Sequence, residues 1–273
     1  MAHAKNIKST TGLASKALSS PNGHRALPRW FALATIAACS FSPTGVSAQL
    51  ALEDQVAELE TLVAELEALT QHVEVEYEKM DGLAGPHVIF EGANVHVRSG
   101  SGTTGDGGAL RGLGNLVVGY NIDTGADGWE TRTGSHNLVV GDNHTYSSFA
   151  GFVAGHNNTI SGGRASVCGG RANTASGPFS SVSGGFRNVA SGKDSSVSGG
   201  ANNLASGRQS TVSGGQLNET SGPYSSVSGG QYSTASGNYS SVSGGTNNLA
   251  SGNHSTVAGG RYTEASKHYS VLP

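Results

Sequence analysis

Acidic side chains almost vanish from the second half of this chain. After Asp142 only Asp194, Glu219 and Glu264 remain, and none has an acidic neighbour one repeat away. An enzyme built on a parallel β-helix needs acids clustered on one face, so the chain is read as non-enzymatic. Cysteine is scarce as well: two in 273 residues, Cys39 and Cys168. If Cys39 lies in a leader, the mature chain has one cysteine, and one cysteine closes no intrachain disulfide. Lys and Arg number 16 against 19 Asp and Glu. With no basic excess, nucleic acid is not an expected partner. His87, His96, His136, His144 and His156 share no single repeat position, so no metal site is expected. The Gly-Gly pairs are not followed by Lys-Ser/Thr, which excludes a phosphate loop. The turns lack the Asp that a calcium-binding nonapeptide roll needs. No cofactor is expected.

What the chain has instead is glycine, 42 residues of it, and a strict period. Ser181-Val182-Ser183-Gly184-Gly185 recurs around Val167, Val182, Val197, Val212, Val227, Val242 and Val257, at a constant spacing of fifteen. Between these copies runs a second piece, Asn188-Val189-Ala190-Ser191-Gly192 and then Asn203-Leu204-Ala205-Ser206-Gly207. A short fixed period means stacked repeats. Fifteen residues suit one coil of a parallel β-solenoid, with two strands of about five residues and two Gly-containing turns. Alternation assigns Val182, Gly184, Asn188 and Ala190 to the interior and Ser181 and Ser183 to the outside. Cys168 takes the outward slot of Ser183. Coils stacked about 4.8 Å apart turn each position into a ladder. A buried Asn ladder needs partners, which coils above and below can supply. The expected class is therefore all-β: a parallel β-solenoid or β-roll of ~15-residue coils, preceded by a helical stalk.

Residues 1–48 read as an export signal. Arg25 and Arg29 end a polar region, and Trp30 to Phe41 is an apolar core too short to span a bilayer. Val46-Ser47-Ala48 is a small-x-small cleavage site before Gln49. Ile36-Ala37-Ala38-Cys39 also resembles a lipobox, which would put a lipid on Cys39 and give the chain a membrane tether. Either route places the protein outside the cell or on its outer surface. Residues 49–80 lack Gly and Pro and fit a heptad. Gln49, Val56, Val63, Thr70 and Tyr77 take a; Leu52, Leu59, Leu66, Val73 and Met80 take d. The spacing predicts about 48 Å of coiled-coil stalk. Val at a with Leu at d leans towards two strands, and the apolar Leu62 and Leu69 at g lean towards three or more. Residues 81–113 form a linker and first β segment, and 114–273 the β-roll.

The first coils carry heavier cores: Leu116-Val117-Val118-Gly119, Leu138-Val139-Val140-Gly141 and Phe152-Val153-Ala154-Gly155. Aligned on their glycines, they set Leu138 and Phe152 against Val167 and predict a wider interior there. The long step from Gly119 to Gly141 implies an insertion around Asp123 to Arg132. Variation is concentrated at the turns. One turn column runs Phe179, Asp194, Gln209, Tyr224, Tyr239, His254, Tyr269; the other includes Tyr232 and Tyr262. Stacked, these columns become exposed stripes. Phe179, Tyr224, Tyr239, His254, Tyr269, Tyr232 and Tyr262 are the candidate ligand-binding residues, with stiffening of the roll as the alternative role.

Alternating Ser-Val-Ser-Gly-Gly and Ala-Ser-Gly resembles the head repeats of trimeric autotransporter adhesins, the YadA-like head. The likeness covers about Gly114 to Tyr269. It implies three rolls around a common axis, a homotrimer on the cell surface, and a host, cell-surface or glycan ligand. That family places its stalk after the head and ends in a membrane barrel; here the heptads precede the head and no barrel is expected. A different reading is an ice-binding solenoid, suggested by the outward Ser181, Ser183, Ser196, Ser198, Thr211 and Ser213 grid. Leu272 falls one full repeat after Val257, so the last coil is expected to end within a strand, with Lys267 and Pro273 blunting the open edge.

Overall fold

The structure is a computed structural model that describes residues 43–122 and 132–273. The expected export signal up to residue 42, with Arg25, Arg29 and Cys39, and the expected insertion over residues 123–131 lie outside the described residues. The chain divides into two compact units, one ending at Asn94 and one beginning at Val95.

In the first unit, helix α1 spans Pro43–Thr70. Proline opens it, where a missing N–H costs nothing. The Val46-Ser47-Ala48 triplet lies within it. Leu52, Leu59 and Leu66 at d, and Leu62 and Leu69 beside them, are all exposed. The helix does not continue to Met80. It stops at Thr70, and Val73–Glu76 forms strand β1, antiparallel to β2 at His87–Phe90. Val73 sits opposite Phe90 and Val75 opposite Val88. Here a period of two beats the heptad. The β-branched valines alternate with Glu74 and Glu76, and a cross-strand apolar pair rewards that spacing. Residues 49–80 are thus a helix followed by a hairpin strand, not one stalk.

The second unit is the solenoid. Its first sheet has eleven parallel strands and its second has nine, each strand paired with those of the coils before and after. Strand β3 (Leu116–Val118) starts the first sheet, followed by β4 (Leu138–Asp142). Strand β5 (Thr145–Tyr146) starts the second sheet, and β6 (Phe152–His156) returns to the first. From there every coil repeats one register: Ser181 pairs with Ser196 and Val182 with Val197, then Val189 with Leu204 and Ala190 with Ala205.

Three expectations need correction. Strands after β6 are two residues long, not five. Leu138 pairs with Phe152, which pairs in turn with Ser166, while Val139 pairs with Val153 and Val153 with Val167. Aligning on glycine was therefore wrong by one. The step from Val153 to Val167 is shorter by one than the step from Gly155 to Gly170, so each later coil has one extra residue between its Val and its second Gly. That extra residue ends the strand early, as a bulge does. It also moves Gly184 off the inner face: a Cβ added there meets nothing within 4 Å. The outward register leaves Leu116 and Leu138 exposed. The wider early interior is real but comes from the other sheet, where Tyr146 and Ile160 occupy the slot that Ala175 and Ala190 fill later. Val182, Asn188 and Ala190 are fully buried, as expected. Tight glycines sit elsewhere in the coil. A Cβ on Gly192 would strike the Gly207 carbonyl, and Gly185 has φ +89° as well as the Gly200 carbonyl against it.

Candidate functional site: the two turn columns

Each coil turns twice, and both turns share a plan. A non-glycine residue with positive φ is followed by a buried polar residue. In the turn leading to the second sheet, Arg187 (φ 53°) precedes buried Asn188, and Asn202 (φ 56°) precedes Asn203. In the turn back to the first sheet, Asp194 (φ 57°) precedes buried Ser195, and Tyr224 (φ 60°) precedes Ser225. These are the asparagine turn and the serine turn.

The asparagine turn is held from inside. The Asn188 backbone N–H donates to Asn173 Oδ1 at 2.9 Å, and Asn188 Oδ1 accepts from the Asn203 N–H at 3.0 Å. Asn188 Nδ2 donates to the Gly184 and Gly200 carbonyls, both at 2.9 Å. Asn203 and Asn218 repeat the pattern. Every polar atom of the amide thus has a partner in its own coil or an adjacent one, which is what buried amides require. Ser233 breaks the series. Its backbone N–H donates to Asn218 Oδ1 at 3.0 Å, yet its Oγ accepts only a 3.4 Å contact from the Asn248 N–H.

The serine turn has no such ladder. The Oγ atoms of Ser180, Ser195, Ser225, Ser240 and Ser255 are buried without a hydrogen-bond partner. Ser210 is different because Thr220 replaces alanine beside it, and their hydroxyls bond at 3.1 Å. This turn is instead braced outside by rings. Tyr224, Tyr239, His254 and Tyr269 form one continuous stack, with centroids 4.7, 4.9 and 4.9 Å apart and planes within 7°. The spacing is that of the coils themselves. Earlier in the same column, the Arg164 guanidinium lies between the Phe149 ring at 5.1 Å and the Phe179 ring at 5.3 Å, within cation–π reach. Asp194 and Gln209 separate the two blocks.

The structure therefore joins Tyr224, Tyr239, His254 and Tyr269 and sets Phe179 three coils away with Arg164. Tyr232 and Tyr262 stand in the asparagine turn with Asn247 between them. They are exposed, and Tyr262 meets Arg261 at 5.0 Å. The buried serine column, the Phe149–Arg164–Phe179 sandwich and the positive φ of both columns were missed from the sequence. A signal existed: Asn143, Asn157, Asn202, Asn247 and Asp194 all fall in these slots, and Asn and Asp tolerate the left-handed region best.

Charge is placed at the start of the roll. Asp106 is buried, bonded to Ser99 Oγ and the Arg111 N–H; hydroxyl bonds from Ser101, Ser135 and Ser99 hold its pKa far below the carboxylate range. Asp142 Oδ1 pairs with His156 Nδ1 at 3.0 Å on the surface, and that hydrogen bond lowers the Asp142 pKa. Among the described residues no three His, Cys, Asp or Glu side chains gather to hold a metal, and no helix is long and apolar enough to cross a membrane. Cys168 is free and exposed. Compared with models of known families and with curated proteins, the chain finds no match.

Proposed function

We propose that this chain is an exported, non-enzymatic surface fibre of the adhesin type, assembled as a homotrimer, whose turn columns contact a cell-surface or glycan ligand. The observation that carries the reading is the cost of those columns. Tyr224, Tyr232, Tyr239, Tyr262 and Tyr269 all have φ between 55° and 60°. A left-handed conformation costs an L-residue about 1–2 kcal/mol, and Gly or Asn would relieve it. Bulky side chains kept in strained turns and exposed to solvent point to use of those side chains. The exposed leucines of α1 support assembly of copies through the heptad positions that remain on the helix, Val56 and Val63 with Leu52, Leu59 and Leu66. The export signal and the resemblance to adhesin heads support placement at the cell surface.

The test is native mass measurement of the mature protein together with binding to immobilised cells and glycans. A mass of three chains is expected, with adhesion that falls when Tyr224, Tyr239 and Tyr269 are all changed to Asn. A monomer at every concentration, or adhesion that ignores the triple change, overturns the reading. The ice-binding alternative rests on an in-register hydroxyl column: Ser166, Ser181, Ser196, Thr211, Ser226, Ser241 and Thr256 pair along the first sheet. Two pairs within it bond to each other, Ser196 to Thr211 at 3.3 Å and Ser241 to Thr256 at 3.1 Å, which draws those hydroxyls away from an outside ligand. Thermal hysteresis with ice shaping would favour this second reading.

A further inference from the structure

The asparagine column contains one histidine. His144 takes the slot in the first coil that has both strands, and it is fully buried. Its backbone N–H donates to Asn121 Oδ1 at 2.8 Å. Its ring Nδ1 lies 3.2 Å from the Asn158 backbone N, and its Nε2 lies 3.1 Å from the Val140 carbonyl oxygen. A backbone N–H only donates and a carbonyl only accepts. The ring must therefore be neutral, with its proton on Nε2. A second proton, on Nδ1, would set one N–H against another in a buried site. The asparagines elsewhere in the column use Oδ1 for the same bond and have no such charged state.

We propose that His144 makes the first complete coil an acid-sensitive latch: at neutral pH it passes the ladder on to Asn158, and on acidification its protonation releases that bond and opens residues 137–157 while the asparagine-laddered coils hold.

The groups facing His144 are few. Asp142 is two residues away and tied to His156, and the Arg132 side chain donates from Nε to the His144 carbonyl at 3.3 Å. Burial is the largest influence and pulls the His144 pKa down; the Nε2 bond to the Val140 carbonyl and the Asp142 carboxylate pull it up less. In the open coil the ring takes a proton near its ordinary value of about 6.5. The latch is thus fully closed above that pH and weakens as pH falls, because the open form binds the proton first. Two other histidines accept backbone N–H groups, His136 from Ser99 and His268 from Asn253. His136 lies in the same coil, so the variant must change His144 alone.

His144→Asn is that variant, since asparagine is the residue the column uses. Hydrogen exchange on the whole protein reads the Asn158 amide, corrected for its intrinsic rate. In the parent, protection should fall roughly tenfold per pH unit below about pH 6.5. In His144→Asn it should stay level over the same range. Equal falls in both proteins, or level protection in the parent, overturns the latch. Ring-nitrogen NMR of the parent at neutral pH gives a second reading that needs no variant. The proton is expected on Nε2, and finding it on Nδ1 overturns the proposal.

Discussion

The two turns of each coil solve one problem in different places. Both put a left-handed residue outside and a polar residue inside. Where it holds an asparagine, the first turn satisfies its buried group completely, and its outer column varies through Ala172, Arg187, Asn202, Leu217, Tyr232, Asn247 and Tyr262. The serine turn leaves most of its hydroxyls without partners, and there the outer column gathers stacked rings and a caged guanidinium. An amide reaches both an adjacent coil and its own; a serine hydroxyl is too short to do so. Outer packing compensates where the inner ladder is missing.

The largest effect should come from cutting the inner ladder. Asn203→Ala strands a buried donor, the Asn218 N–H, and a part-buried acceptor, the Gly199 carbonyl. At about 1–3 kcal/mol each, the loss should be about 2–6 kcal/mol, read as a lower urea midpoint. A change smaller than that of any serine-turn substitution would reverse the comparison. Ser233→Asn repairs the gap inside the run of asparagines. It restores donors to Gly229 and Gly245 and should raise the midpoint, by about 1–3 kcal/mol; a lower midpoint would show that the gap is enforced by packing.

Smaller effects are expected on the serine side. Tyr239→Asn removes two ring contacts, worth about 0.5–1.5 kcal/mol each, and recovers about 1 kcal/mol of backbone strain. The net expectation is a loss of about 1 kcal/mol, measured by thermal melting. A gain would mean that the rings brace nothing and are kept for contact with a ligand alone. Smallest is Ser225→Ala. It removes a buried hydroxyl that has no partner and should be neutral or stabilising by up to about 1 kcal/mol. Ala165 already fills this slot and is fully buried. A clear loss would reveal a hydrogen bond to that hydroxyl.

Much of this architecture was legible in the chain. The constant period fixed the parallel stacking, the inward Val182, Asn188 and Ala190, and the exposed turn columns, because a repeated sequence can only stack in register with itself. Local pattern failed where two periods overlapped or a count slipped. Val73 to Tyr77 satisfies both a heptad and a strand, and pairing with His87–Phe90 chose the strand. The extra glycine between Val167 and Gly170 shifted the early coils by one residue, and only the ladder Val139–Val153–Val167 revealed it. Which ladder a turn leans on was decided by tertiary structure alone. Asparagine and serine are both small and polar in the sequence, yet only the amide spans the gap between coils. Rings a full repeat apart in the chain stack only because the coils bring them 4.7 to 4.9 Å apart.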